Sequence, residues 1–185
     1  MLKHAGKMLP IALALASFTR GWCEEPAGTS DKGTAPVAAD VASPTLRPTL
    51  EEARRQAEIL HNAMHATLQV VHHQYYREDQ GLPLPAGIMK DVFAELKSEQ
   101  QIELRWLAVE GQAMNTDHKP QNDFEQAAVK ALKAGEREYA AITDGIYRRA
   151  GPITLTNHCL KCHVPDRKST EDRTAGLIIA IPIGE

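Results

Sequence analysis

The amino-acid sequence predicts an α+β fold in which helices flank an antiparallel sheet. In three segments apolar residues recur every three or four positions, which is the period of an amphipathic helix. Elsewhere apolar and polar residues alternate, and Asp144-Gly145 separates two such runs as a strong hairpin signal. The predicted order is helix, helix, strand, helix, hairpin, loop and strand. That order is typical of an α+β domain and not of an all-helical one.

The N-terminus has the form of a secretory signal peptide. Lys3 and Lys7 precede a short apolar run over residues 8–18, and this run falls well short of the ~20 residues that a membrane-spanning helix needs. Gly21 and Cys23 are small residues at the −3 and −1 positions of a cleavage site, so cleavage is predicted after Cys23 and residues 1–23 are expected to be removed. The mature protein is therefore expected to be periplasmic or otherwise exported, with no membrane span.

The rest of the chain is predicted to comprise a linker and one domain. Residues 24–48 consist mainly of Ala, Pro, Thr, Ser and Gly. A segment with so few large apolar side chains cannot bury a core, which predicts a flexible linker. Residues 49–185 have the length of one compact domain. The net charge of −3 at pH 7 gives no reason to expect a nucleic-acid partner.

The domain is predicted to open with a long helix. Thr49 and Glu52 form a capping-box pattern at its start, and Gly81 and Pro83 are expected to end it. One face of this helix is apolar at helical spacing. That face consists of Leu50, Ala53, Ala57, Leu60, Met64, Leu68, Val71 and Tyr75.

Two shorter helices are predicted further along the chain. The first is "PAGIMKDVFAELKSEQ", residues 85–100. The second lies within "QNDFEQAAVKALKAG", where Asn122 and Glu125 form a cap and Gly135 marks the end. The apolar face of the first helix is expected to contain Ile88, Val92 and Leu96.

The strands are predicted in three regions. "QIELRWLAVEG", residues 101–111, alternates apolar and polar side chains as a half-buried strand does. "EREYAAITDGIYRRAGPIT", residues 136–154, holds two strands around the hairpin turn. "AGLIIAIPI", residues 175–183, is an apolar β-branched run that suits a buried strand.

The stretch "HCLKCH", residues 158–163, has the spacing of a site that carries chemistry. A zinc ligand pair, a dithiol redox site and a covalent haem compete to explain it. Once Cys23 is removed, Cys159 and Cys162 are the remaining cysteines. A structural zinc site needs four ligands, and the sequence has no second cysteine pair. A thioredoxin-type dithiol opens a helix after a strand and does not require a trailing histidine.

The pattern C-x-x-C-H is typical of c-type haem attachment. Each thiol adds to one haem vinyl group, and the two intervening residues let both sulfurs reach. The next residue, His163, is then held under the iron, and histidine is a standard axial ligand of haem iron. We therefore expect one haem c, covalently attached through Cys159 and Cys162, with His163 as the proximal iron ligand.

The first helix supplies candidates for the distal iron ligand. His61, His65 and His72 lie along one side of it at spacings of four and seven. We expect His72 to be the distal ligand, with His65 as the second choice. The other candidates are His61, His73, Met64 and Met89. Histidines on a long helix are ordinary, however, and a methionine or a water stays open as the ligand.

Four stretches together resemble an exported c-type haem family of unknown function. They are "HKPQNDFEQAAVKAL", the hairpin, "CLKCH" and "RTAGLIIAIPI". The family includes periplasmic haem sensor domains and a stand-alone cyanobacterial haem protein. The resemblance implies a PAS-like antiparallel sheet flanked by helices. It also implies that Cys159 and Cys162 attach the haem and that His163 is the proximal ligand. It implies no distal ligand, since members differ there.

Two functions from different classes are compatible with these features. We favour a non-enzymatic, mono-haem, cytochrome-like protein that acts in electron transfer or in redox or gas sensing, with an unidentified redox or signalling partner. The alternative is a haem enzyme such as a peroxidase, which needs an open iron face with an acid–base residue above it. The histidines of the first helix suit either role.

Overall fold

The computed structural model describes residues 47–113 and 115–184. The predicted signal peptide and nearly all of the predicted linker lie outside the described residues. Within them no helix combines the length and apolar character that crossing a membrane requires. The elements of this part are α1 (Leu50–Gln74), α2 (Pro85–Gln100), β1 (Glu103–Leu107), α3 (Asp123–Lys133), β2 (Tyr139–Thr143), β3 (Ile146–Leu155), α4 (Asn157–His163) and β4 (Arg173–Pro182), with 3₁₀ turns at Glu78–Gln80 and Thr116–His118.

The strands form one four-stranded antiparallel sheet in the order β1-β4-β3-β2, which confirms the predicted α+β fold. The last strand of the chain, β4, is central, because it pairs with β1 on one side and β3 on the other. The hairpin of β2 and β3 turns at Asp144 and Gly145, whose φ angles are 53° and 69°. Positive φ at both turn residues is what the Asp-Gly pair predicted.

The helix α1 begins as predicted and ends earlier than predicted. Thr49 and Glu52 form the capping box: the Thr49 N–H donates to Glu52 Oε2 at 2.8 Å, and the Glu52 N–H donates to Thr49 Oγ1 at 3.3 Å. At the other end, the Val71 carbonyl accepts from the backbone N–H groups of both Tyr75 and Tyr76. The helical ladder stops there, before Gly81 is reached.

The helix α2 buries a different face from the one predicted. Ile88 and Val92 were expected to point inward, but they are 51% and 43% exposed. Met89 and Phe93 are buried instead, and the Phe93 ring lies 5.0 Å from the ring of Trp106 on β1. This aromatic contact turns the helix by about one residue, 100°, from the predicted orientation.

The helix α3 follows the predicted cap closely. Its N-cap residue, Asn122, accepts the backbone N–H of Glu125 at 3.0 Å through its side-chain oxygen. Glu125 is itself buried and pairs with Arg105 of β1 at 2.7 Å. The helix is thereby attached to the edge of the sheet.

The sheet has a hydrophobic core on each face. The large core lies on the face that α1 and α2 cover, and the small core lies on the face that α3 covers. The strand β4 contributes to both, because alternate residues point to opposite faces. The large core contains Ala53, Ala57, Met89, Phe93, Leu104, Trp106, Tyr147, Ile153, Leu177, Ile179 and Ile181. The small core contains Leu107, Val109, Ala128, Leu132, Ala150 and Ile178.

The segment expected to be a loop with the cysteine motif is a short helix, α4. Its N-cap is Thr156, directly after β3, and the Thr156 carbonyl accepts from the N–H groups of Cys159 and Leu160. Leu160 is 1% exposed. One fully buried leucine in the middle of seven residues fixes this helix against the domain, which the local sequence did not reveal.

Candidate functional site

The helix α4 borders a cavity of about 350 Å³, within the usual range of roughly 300–1,000 Å³ for ligand sites. The walls come from α1, the start of α2, the end of β3, the Thr116–His118 turn and α4 itself. The cavity walls include Cys159, Cys162, His163 and His72. The structure therefore brings the three predicted motif residues and the first-choice distal histidine to one cavity.

The end of α4 is held by the loop that follows β1. The backbone N–H of Gln112 donates to the His163 carbonyl at 3.0 Å. Gly111 lies against the same carbonyl with φ +88°, and a Cβ there would stand 2.7 Å from the His163 oxygen. A residue with a side chain does not fit at this approach, so Gly111 allows the loop to fix the position of His163.

Both motif cysteines are free thiols and partly buried. Three positions separate them on α4, and residues at that spacing share one side of a helix. The Cys159 Sγ lies 3.7 Å from the hydroxyl of Thr156. Because α4 follows a strand, its setting is one that a dithiol redox site also has. His163 lines the same cavity, and a dithiol redox site does not require such a histidine.

His72 and His163 reach the cavity from different parts of the fold. Burial lowers the pKa of His163, and the nearby charge of His72 lowers it further. Burial also lowers the pKa of His72, with smaller effects from His158 and His73. Both imidazoles therefore favour the neutral form at pH 7, and a neutral imidazole has the lone pair that a metal ligand needs.

His65, the second-choice distal residue, does not line this cavity. Its Nε2 accepts the backbone N–H of Thr154 at 3.3 Å and lies 3.3 Å from the amide nitrogen of Gln69. His61 is buried in the domain beside Gly151. This arrangement favours His72 over both.

The remaining distal candidates lie elsewhere. His73 faces His158, with ring centroids 5.4 Å apart, beside a neighbouring cleft of about 520 Å³. Met89 is buried in the large core, and Met64 packs against that core. Both methionines therefore contribute to the packing of the large core.

His118 also lines the cavity, and the sequence analysis did not single it out as a site residue. Its Nε2 is buried without a hydrogen-bond partner. Burial lowers the pKa of His118, and the positive charges of Lys90 and Arg105 lower it further. His118 lies outside the long helices and the strands, so no apolar or histidine spacing in the sequence pointed to it as a site residue.

A comparison with protein families gives one match that spans most of the chain. The profile of the Tll0287-like family (Tll0287) matches residues 46–178. The chain belongs to the Tll0287-like family. This confirms the resemblance that the sequence suggested.

Comparison with solved structures finds the crystal structure of the cyanobacterial haem protein Tll0287. The two share 15% sequence identity with a TM-score of 0.48, and the match covers 74% of this chain and 96% of that one. A comparison with curated proteins finds no match.

The cavity of this Tll0287-like chain combines apolar walls with a few polar groups. Leu68, Ile153 and Leu155 supply apolar surface, and Lys90 and Lys161 bring positive charge to its rim. Among residues 47–113 and 115–184, no group of three or more His, Cys, Asp and Glu side chains could hold a bare metal ion. Two thiols, neutral imidazoles and apolar walls instead fit a flat, largely apolar cofactor with a metal at its centre.

Proposed function

We propose that this chain is an exported haem protein that carries one covalent haem c and acts in electron transfer or in redox or gas sensing, without catalysing a reaction. One observation carries the proposal: Cys159, Cys162, His163 and His72 meet at one largely apolar cavity. Membership of the Tll0287-like family supports it. The proposed compartment is the periplasm or another exported location, because the N-terminus has the form of a signal peptide.

Cys159 and Cys162 of α4 would attach the cofactor. Each S–H would add across one vinyl C=C bond, with sulfur bonding to one carbon and hydrogen to the other, so that nothing would leave and no oxidant would be needed. Because Cys159 and Cys162 lie on one side of a short helix, both thioethers can form on one edge of the ring.

His163 is the proposed proximal ligand and His72 the proposed distal one. The carbonyl of His163 is held by Gln112, and its imidazole is kept neutral by burial. His72 faces the same cavity from α1, and its pKa is lowered in the same direction. Haem iron exchanges single electrons when bound between two such ligands. With both imidazoles bound to the iron, no position would be open for a substrate, which favours electron transfer over chemistry on a substrate.

A haem peroxidase is the second candidate, and His118 is the observation that favours it. Its neutral imidazole reaches the same cavity, and its Nε2 is without a partner. If His72 does not occupy the distal position, His118 supplies a histidine that could act as an acid–base group. Peroxide turnover by the purified protein, lost in His118→Phe and kept in His73→Phe, would support this candidate over the first.

Covalent attachment is tested by intact mass after acid–acetone extraction. The exported wild type should retain the mass of one haem. Cys159→Ala/Cys162→Ala should retain none, while His163→Ala should keep the covalent haem and change the spin state of the iron. Complete release of haem from the wild type would contradict attachment. An unchanged spectrum in His163→Ala would exclude that residue as a ligand.

The distal ligand is tested with three matched alanine variants on α1. His72→Ala should convert a six-coordinate low-spin spectrum to one with an open position, and carbon monoxide should then bind the reduced protein readily. His73→Ala is the control, because the neighbouring position points about 100° away on a regular helix. If His65→Ala opens the site and His72→Ala does not, His65 is the distal ligand.

A further inference from the structure

Thr154 lies near the end of β3, where the sheet lacks a strand on one side. The hairpin partner β2 reaches Ala150, which lies opposite Tyr139. Beyond that point, within the part of the chain that the structure describes, no strand continues the pairing along Gly151–Leu155. A strand edge of this kind leaves backbone N–H and C=O groups that need other partners.

Two side chains of α1 satisfy the backbone of Thr154. The Thr154 N–H donates to His65 Nε2 at 3.3 Å, and the Gln69 amide donates to the Thr154 carbonyl at 2.7 Å. The Gln69 amide nitrogen also lies 3.3 Å from His65 Nε2. Because Nε2 accepts a hydrogen bond, its lone pair is in use, and the proton of the neutral ring is on Nδ1. We call His65 and Gln69 the α1 clamp.

The backbone N–H and C=O of the strand partner of Thr154 bond to the loop that follows β1, on the side away from β3. Thr174 of β4 lies across from Thr154, and its N–H donates to the Glu110 carboxylate at 2.7 Å while its carbonyl accepts the Glu110 N–H at 2.8 Å. The same loop continues to Gln112, which holds the His163 carbonyl. Two sets of contacts therefore flank α4, one at the strand that leads into it and one at its last residue.

We propose that the α1 clamp positions His72 opposite His163, so that His65 and Gln69 are positioning residues of the cofactor site; this rests on the haem function proposed above. His72 lies on the same helix, one turn beyond Gln69. Thr154 is two residues before the N-cap of α4. Apolar packing alone allows a helix to slide and rotate, whereas hydrogen bonds to both the N–H and the C=O of one residue fix its register. The clamp thus ties α1, which carries His72, to β3, the strand that leads into the helix of His163.

The test compares Gln69→Leu with Gln56→Leu, the same change at an exposed position of α1. Both variants should retain one covalent haem by intact mass. In Gln69→Leu, carbon monoxide should bind the reduced protein up to about tenfold more tightly, the factor expected when one neutral hydrogen bond that holds the competing ligand is lost. A high-spin fraction should also appear. Gln56→Leu should match the wild type in both measurements.

Two variants of His65 test whether the hydrogen bond from the Thr154 N–H is what matters. His65→Gln offers an amide oxygen that can accept the Thr154 N–H, and should stay close to the wild type. His65→Leu cannot accept it and should behave like Gln69→Leu. If the His65 side chain only fills space, His65→Gln and His65→Leu should give the same carbon monoxide affinity and the same high-spin fraction.

The outcomes separate the two proposals. A wild type without covalent haem overturns the haem function and the clamp with it. A haem-bearing wild type with equal carbon monoxide affinities in Gln69→Leu and Gln56→Leu overturns the clamp alone. If Gln69→Leu does not fold, nitrogen-15 NMR of the haem-loaded wild type decides. The His65 Nε2 signal should be that of an unprotonated acceptor, and an iron-shifted signal there would show His65 to be a ligand and overturn the clamp.

Discussion

The α3 face of the sheet is closed, whereas the α1–α2 face opens at one end into the cavity beside α4. On the closed face, a Cβ placed on Gly176 would lie 3.2 Å from both Leu107 Cβ and Leu132 Cδ1. The side chains around Gly176 are therefore closely packed. On the open face the large core reaches the cavity, because Ile153, Leu68 and Ala86 belong both to that core or its packed neighbours and to the cavity walls.

The two faces also differ in what they bury. Beside the small core, Glu125 is buried and pairs with Arg105 at 2.7 Å, so the α3 face buries one charged residue of an ion pair. On the other face, His61 and Arg149 are buried beside Gly151, and Arg149 pairs with Glu138 at 2.6 Å. Each face therefore buries one charged residue of an ion pair, and the α1–α2 face adds the His61 imidazole and the cavity. A cavity reduces stability, because the side chains that line it lose packing partners. The cost of forming the candidate site therefore falls on the α1–α2 face.

The largest expected effect compares a core leucine with one at the cavity mouth. Leu132→Ala empties space in the small core and should lower the free energy of unfolding by about 2–5 kcal/mol. Leu84 lines the cavity and is 45% exposed, so Leu84→Ala should cost less than about 1 kcal/mol. Urea unfolding followed by circular dichroism measures both. Equal losses would mean that the two faces are equally packed.

The next prediction compares alanine substitutions at two glycines on the α1–α2 face, Gly151 and Gly87. A Cβ on Gly151 would stand 2.6 Å from the His61 ring and 2.7 Å from Arg149 Nη1, so Gly151→Ala should cost about 1–3 kcal/mol through overpacking. Gly87, on α2, has no such neighbour within 4 Å. There the same change should stabilise by roughly 0.4–1 kcal/mol through helix propensity and a less flexible unfolded chain. Thermal unfolding should shift in opposite directions in the two variants.

The smallest expected effect is a pH dependence carried by His61. Burial lowers the pKa of His61, and the charge of Arg149 lowers it further. The unfolded imidazole, with a pKa of about 6.5, binds its proton at a higher pH than the folded one. The contribution to stability is therefore fully present above that value and is lost as pH falls through the lower folded pKa, by at most about 1.4 kcal/mol per pH unit.

The measurement is urea unfolding of wild type and His61→Gln between pH 7.5 and 5. Burial also lowers the pKa of His65 and His118, so both proteins should lose stability in acid. The wild type should lose more, and the difference belongs to His61. Parallel profiles would show that its protonation does not differ between the folded and unfolded states.

Local signals in the sequence predicted much of this fold. The caps at Thr49 and Asn122 and the turn at Asp144-Gly145 depend on residues within a few positions of one another, and all three are present. The orientation of α2 depends on Trp106, which follows the helix and packs on Phe93. Such a contact has no local pattern, so the helix was predicted but its apolar face was wrong for Ile88 and Val92, while Leu96 packs against the large core.

For the candidate site, the sequence predicted Cys159, Cys162 and His163 from their spacing, and the structure brings these residues to one cavity. Covalent attachment through them stays a prediction. The choice between His65 and His72 depends on where β2 ends, because the free edge of β3 engages His65. His118 reaches the cavity through an irregular segment. The spacing of residues along a helix predicts neither the free edge of β3 nor the position of His118.

The helical form of α4 has a consequence for the reduced thiols. Side chains three positions apart on a helix have Cβ atoms roughly 5–6 Å apart, whereas a disulfide needs about 3.5–4.5 Å. Cys159 and Cys162 are both free. A disulfide between them therefore needs only a small adjustment of α4, as occurs in the C-x-x-C helices of dithiol redox sites. In the oxidising, exported setting that we propose, the two thiols would have to be kept reduced until the cofactor attaches.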